Sequence, residues 1–280
     1  MSNAKVSVMD AVRAAADFAR TNVRQVAGVL GLVMALNIAS SLTVRSPLGF
    51  LIGAAGFLAS IMANAAMLRL AFADEHPGDP DFRIGPQGVQ WGRPELRLLG
   101  AMGLLALFLL LAGLFAFIIA VVVTVAVMVT IDGHTPIPSD YSQLPTNVQL
   151  TLSVLLLIFL LAVIWALIRV CLYPAATVAE KRVQVFSTWA LTRGQFWRIL
   201  GALAMIFVPF FLLFTGAEAL QGYPAVQTVL NVLLLAASTF VVVPMGVGLY
   251  AYLYRHLRHA PPPVVAQADS SALAGPWGSV

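Results

Sequence analysis

YPAATVAEKRVQVFSTWALTRGQFWRILG, residues 173–201, carries Lys181, Arg182, Arg193 and Arg198 between two strongly apolar runs. At about 100° per residue, Val178, Ala179, Val183, Val185, Phe186, Trp189 and Ala190 share one broad arc, and Glu180, Lys181, Gln184, Ser187 and Thr188 fall opposite. The spacing predicts an amphipathic helix between two membrane spans. Arg182 and Arg193 fall inside the apolar arc, so their charges must snorkel to head groups or find a partner. Glu180 lies on the far side of the wheel from Arg182, so its expected charge partner is a basic residue on another segment.

Outward from that stretch, the composition sets the class. The chain has 280 residues, 60% of them hydrophobic and only 10% charged, with a mean hydropathy of +0.90. A soluble domain has about 25% charged residues, so an all-α, polytopic helical membrane protein is expected. The net charge is +4, but the basic residues stand mostly singly beside apolar runs, and nucleic acid is not an expected partner. The lone Cys171 ends an apolar run, cannot form an intramolecular disulfide, and reads as a packing residue.

Six spans are predicted, at residues 25–44, 48–68, 98–131, 150–172, 199–220 and 228–254, within one transmembrane domain covering 1–258. A disordered cytoplasmic tail, 259–280, is expected to follow, rich in Pro, Ala, Ser and Gly. The first run follows a basic segment, as a signal peptide would, but its length and the apolar run behind it favour an uncleaved span. Ahead of it, Asp10, Arg13, Asp17, Arg20 and Arg24 line one helical stripe and Val8, Ala11, Val12, Ala15, Phe18 and Ala19 the other. A short interfacial helix is expected there, with Asp10–Arg13 and Asp17–Arg20 pairs. Arg45, Ser46 and Pro47 mark a tight turn. Gly49, Gly53, Gly56, Ser60 and Ala63 form a small-residue seam for close helix approach.

The stretch 74–97 reads as a Pro- and Gly-rich loop with at most a short helix near Val89 and Trp91. The apolar run 98–131 would be about 51 Å long as one helix, too long for a perpendicular span, so it must tilt, bend or project. Pro209 and Pro244 predict kinks in the last two spans.

With six spans, segments 1–24, 69–97, 169–198 and 255–280 share one side and hold fifteen of the sixteen Lys and Arg, leaving Arg45 opposite. The positive-inside rule then places both termini in the cytoplasm. Arg24, Arg97 and Arg198 each open an odd-numbered span after a segment with another Arg, which suggests three repeats of interfacial helix plus helical hairpin.

Tyr173, Pro174 and Ala175, Glu180, the run Ser187 to Gly194, and Phe196, Trp197 and Arg198 resemble the signature of a bacterial family of six-span membrane proteins. That family is labelled glycerophosphoryl diester phosphodiesterase membrane domain and is loosely similar to the YciC-like inner-membrane proteins. The exit of the sixth span, Leu253 to Arg258, resembles the family's closing motif, with His256 where an Asp is usual. The resemblance implies a six-span fold. It implies an enzyme only for members fused to a separate catalytic domain, and none is expected here.

Chemistry is sought in the few polar clusters. A phosphodiesterase needs carboxylates and histidines around a metal. Asp74, Glu75, His76, Asp79 and Asp81 are the one dense cluster, and their spacing reads as a solvated loop. No catalytic residue, metal site or cofactor is expected. Arg182, Arg193 and Arg198 with Trp189 and Trp197 are the candidates for holding lipid phosphates, since guanidinium groups match phosphate and Trp prefers the interface. The expected role is a membrane-organising, lipid-contacting or accessory module. Its partners would be membrane lipids, anionic ones included, with a partner protein or a second copy of the chain. The second reading is a small transporter of a lipid-related or apolar solute, with Asn37, Asn64, Thr124, Ser153, Asn231, Ser238 and Thr239 as its polar candidates.

Overall fold

Apolar runs of these lengths close their backbone hydrogen bonds internally only as helices, and that is the architecture. The computed structural model describes residues 7–43, 46–132, 146–219 and 222–258, and among them there is no strand. The expected turn at Arg45, the loop that follows Asp132 and the tail 259–280 lie outside the described residues. The helices are α1 (Val8–Asn22), α2 (Ala27–Leu42), α3 (Pro47–Phe72), α4 (Arg93–Asp132), α5 (Thr146–Val170), α6 (Tyr173–Ala179), α7 (Thr188–Leu191), α8 (Phe196–Glu218), α9 (Pro224–Ala237) and α10 (Val243–Arg258). Six helical stretches are long and apolar enough to cross a bilayer.

Ser7 caps α1 by accepting from the Asp10 N–H, and the helix buries Ala11, Ala15 and Ala19 while its polar stripe faces out. This small-residue face lies mainly on α10 and secondarily on α8. Asp10 and Arg13 pair at 3.9 Å on the surface, whereas no ion pair joins Asp17 to Arg20 among the described residues. A 3-10 turn, Val23–Val26, redirects the chain into α2. Ser46 caps α3 and Pro47 takes its first position, where a missing N–H costs nothing.

The seam works as expected. A Cβ at Gly56 would sit 3.6 Å from Leu36 Cβ and one at Gly53 would sit 3.4 Å from Ser40 Oγ, so α2 lies along the glycine face of α3. Burial of apolar area cannot drive such pairing in lipid; close van der Waals approach can.

α4 runs uninterrupted for 40 residues, about 60 Å at 1.5 Å per residue against a hydrocarbon core of about 30 Å. Its first turn is held at the basic end of the bundle, so the excess is taken up by tilt or by projection at the other end. None of its most apolar window is buried. α5 is nearly as bare, with Leu150, Leu156, Leu157 and Ile158 all exposed.

The sixth span breaks where expected, and the form of the break is specific. Ser238–Val242 is π-helical between α9 and α10, just ahead of Pro244. The wider turn relieves the clash of a proline ring with the carbonyl four residues back. Pro209 sits inside α8, which is continuous.

The stretch 173–201 departs from its predicted form. In place of one amphipathic helix there are α6, a turn, and the single turn α7. α6 ends at Ala179, and Lys181 follows with φ +55°. Thr177 Oγ1 both donates to the Gln184 carbonyl and accepts from its N–H, at 3.3 Å each, which clamps the reversal. α6 is buried along Ala175–Ala179. It is a core element, and helical periodicity alone could not distinguish that from an interfacial position.

The main core gathers at the basic end. Leu30, Met67, Phe72, Ala176, Val178 and Tyr254 belong to one buried cluster, and Ile168, Leu172, Ile199, Leu249 and Leu253 to a second. The opposite half of the bundle, dominated by α4 and α5, presents its leucines and phenylalanines outward.

Candidate functional site

The basic end is built from helix termini that apolar runs bring together, each delivering a charged residue. Arg69 in the last turn of α3 meets Glu95 in the first turn of α4 at 2.5 Å, and their side chains are 2% and 0% exposed. Glu95 also accepts the Gly92 N–H at 2.8 Å, capping α4. Nε and Nη1 of Arg69 and Oε1 of Glu95 are buried without a partner among the described residues.

Around this pair, three further carboxylates of the stretch 74–97 find cations, while Asp74 stays exposed. Glu75 meets Arg255 of α10 at 2.5 Å, Asp79 pairs with Lys181, and Asp81 meets Arg97 at 3.1 Å. Arg255 also donates to the Ala71 carbonyl and lies over the Phe72 ring. The expected solvated loop is therefore a packed element. It carries 3-10 turns at Ala73–Glu75, Pro80–Phe82 and Pro86–Gly88. It buries Phe82, with His76 stacked on that ring at 4.2 Å. Gly88 has φ +78°, and a Cβ there would press on Val26 and Val29 at 3.1–3.2 Å. Among the described residues no three His, Cys, Asp or Glu stand together to hold a metal ion.

These outer pairs are partly exposed, and such pairs contribute about 0–1 kcal/mol each. Asp79→Asn is therefore expected to lower the melting temperature slightly at low salt and not at all at 1 M salt, because screening removes the attraction. A loss independent of salt would mean that the Asp79 backbone turn, and not its charge, is what matters.

Glu180 is a hub. Its Oε1 accepts the Tyr254 hydroxyl at 2.7 Å and lies 3.4 Å from Arg258 of α10. This is the partner on another segment that the helical wheel suggests. Because the helix stops at Ala179, Arg182 also swings back to Glu180 Oε2 at 3.6 Å, an approach the wheel excludes. Arg182 is 71% exposed.

The remaining candidates separate. Arg193 and Trp189 line an open groove of about 490 Å³ with Phe186, Ala190 and Arg169. Arg198 turns to Gln195 Oε1 at 3.5 Å, and Trp197 is 78% exposed against Phe196. Neither is among the residues lining the groove. Arg169, in the last turn of α5, was not singled out by the helical wheel, yet it supplies the groove's inner charge. Its guanidinium lies 5.3 Å over the Trp165 ring, Trp165 meets Trp189 edge-on at 5.0 Å, and its Nε and Nη1 are buried without a partner among the described residues. Among the described residues, no carboxylate lines the groove. A basic residue ending an apolar run was the visible signal, but interfacial anchoring produces the same pattern.

No protein-family model, no curated protein and no solved structure matches this chain.

Proposed function

We propose that the protein is a non-catalytic, membrane-organising or accessory module of a bacterial inner membrane, with its basic end cytoplasmic, and that this end holds the head group of an anionic lipid. The observation that carries this reading is the groove between Arg169 and Arg193. Two guanidinium groups stand there without a lining carboxylate, between Trp189 and Phe186. The buried Nε and Nη1 of Arg169 are left without acceptors among the described residues, which is costly, and phosphate oxygens match guanidinium fork geometry. Trp and Phe at that depth suit the glycerol region of a lipid.

Native mass spectrometry tests it, on protein taken from nanodiscs holding equal phosphatidylglycerol and phosphatidylcholine. The wild type is expected to retain phosphatidylglycerol preferentially, and Arg169→Gln/Arg193→Gln to lose that preference by about tenfold or more, at 1.5–3 kcal/mol per charged hydrogen bond. Arg182→Gln/Arg198→Gln, outside the groove, is expected to keep it. Equal retention by the wild type and the groove variant would remove the head-group site. Transport of a lipid-related or apolar solute is the second reading, favoured by the π-helical break at Ser238–Val242. A fluorescent short-chain lipid crossing proteoliposomes faster with the protein than without it, and slower with Pro244→Ala, would support it.

A further inference from the structure

A second cavity lies on the other side of α5 from Arg169. It has a volume of about 390 Å³ and reaches the second to sixth spans, a size in the range of small-molecule sites. Leu68, Leu98, Met102, Leu203 and Val247 form much of its wall. Leu68 is four residues from the end of α3 and Leu98 five from the start of α4, so the cavity sits in the basic half of the bundle.

Its chemistry is selective in two respects. Among the described residues, no Lys, Arg, His, Asp or Glu lines it, so a charged ligand would lose its hydration there and gain no counter-ion from them. Against the apolar wall stand Asn64, Tyr173 and Tyr250. Asn64 spends one N–H on the Ser60 carbonyl at 2.8 Å. Both tyrosines are half-buried, and neither hydroxyl is hydrogen-bonded to another described residue. The occupant that suits this lining is uncharged and mostly apolar and carries oxygens able to pair with hydroxyls.

We infer that this cavity binds the glycerol backbone of a neutral ester lipid of the diacylglycerol class, with its glycerol and ester oxygens on Tyr173 and Tyr250 and its acyl chains leaving past the leucine wall into the surrounding lipid. The bilayer around the bundle is the source of such a molecule. The basic groove on the far side of α5 shares no lining residue with this cavity, so either site can stand without the other.

Photolabelling in nanodiscs tests the inference. The probes are a diacylglycerol and a phosphatidylglycerol that carry the same diazirine acyl chain, and labelled peptides are mapped by mass spectrometry. The outward-facing residues near Phe115 serve as the internal reference for bulk lipid. The diacylglycerol probe is expected to label 98–105 and 167–174 several-fold above that reference, and the phosphatidylglycerol probe is not. Leu203→Trp, which fills the cavity, is expected to abolish the excess. Tyr173→Phe/Tyr250→Phe keeps the volume and is expected to reduce the excess by about fivefold per hydroxyl, the factor carried by one net hydrogen bond. Arg169→Gln/Arg193→Gln is expected to leave it intact, which separates failure here from failure of the head-group reading. Equal labelling of the cavity by both probes would overturn the inference. So would an excess unchanged in the tyrosine variant, whatever the folding of Leu203→Trp.

Discussion

Glu95→Ala is expected to destabilise the protein by about 3–5 kcal/mol, the cost of leaving one member of a buried ion pair uncompensated. Arg69 is 2% exposed and Glu95 0% exposed, and the pair joins the end of α3 to the start of α4 across a contact of 2.5 Å. Removing the carboxylate strands the guanidinium, two of whose nitrogens are already without partners. It also releases the Gly92 N–H that Glu95 caps. Arg69→Ala is expected to cost a similar amount for the mirror reason.

The double replacement Arg69→Met/Glu95→Leu is expected to recover much of the loss, because a buried pair exchanged for apolar residues of similar volume is often neutral or stabilising. Thermal unfolding in detergent, followed by the monodisperse fraction on size exclusion, reads all three variants. Salt is expected to have little effect, in contrast with the exposed pairs around Asp79. If Glu95→Ala melts with the wild type, the pair is not a structural tie and its charges serve something else.

Gly248→Leu is expected to displace α1 from α10. A Cβ at Gly248 would lie 2.8 Å from Phe18 Cβ and 2.9 Å from its Cδ1, close to the root of a side chain that cannot swing away without moving its helix. The face that α1 presents is small, with Ala11, Ala15 and Ala19 buried, so the fit depends on close approach along its whole length. Overpacking of this kind costs about 1–3 kcal/mol, and here it falls on one docked element. Hydrogen exchange is expected to accelerate across 8–22 and to remain slow in α2 and α3. Gly201→Ala is the control, since its Cβ would meet Val8 at an ordinary 3.7 Å. Unchanged exchange over α1 in Gly248→Leu would mean that α1 is held by its surroundings and not by α10.

The helix pairing around Gly53 and Gly56 was legible because it is local. The spans follow from run length, and the close approach of a neighbouring helix to α3 from a seam of small residues within it. Each depends on positions a few residues apart, where helical geometry leaves one answer. Arg69 and Glu95 lie 26 residues apart, with a loop between them, and Asp79 and Lys181 lie 102 apart. Which carboxylate meets which cation depends on how helix termini converge, and no periodicity records that. The stretch 173–201 shows both sides. Its amphipathic pattern identified a segment joining two spans, but the same pattern suits an interfacial helix and a buried α6 followed by a turn.

The helical class, the six apolar runs and the clustering of cations in alternate connecting segments can be read from run length, composition and spacing, which act through local backbone geometry and hydration. Packing is what stops the helix at Ala179, brings Glu180 to Tyr254 and Arg258, and sets Arg169 beside Arg193 in a groove. Those outcomes rest on burial and charge pairing between segments far apart in the chain, whose energies exist only once the helices have packed.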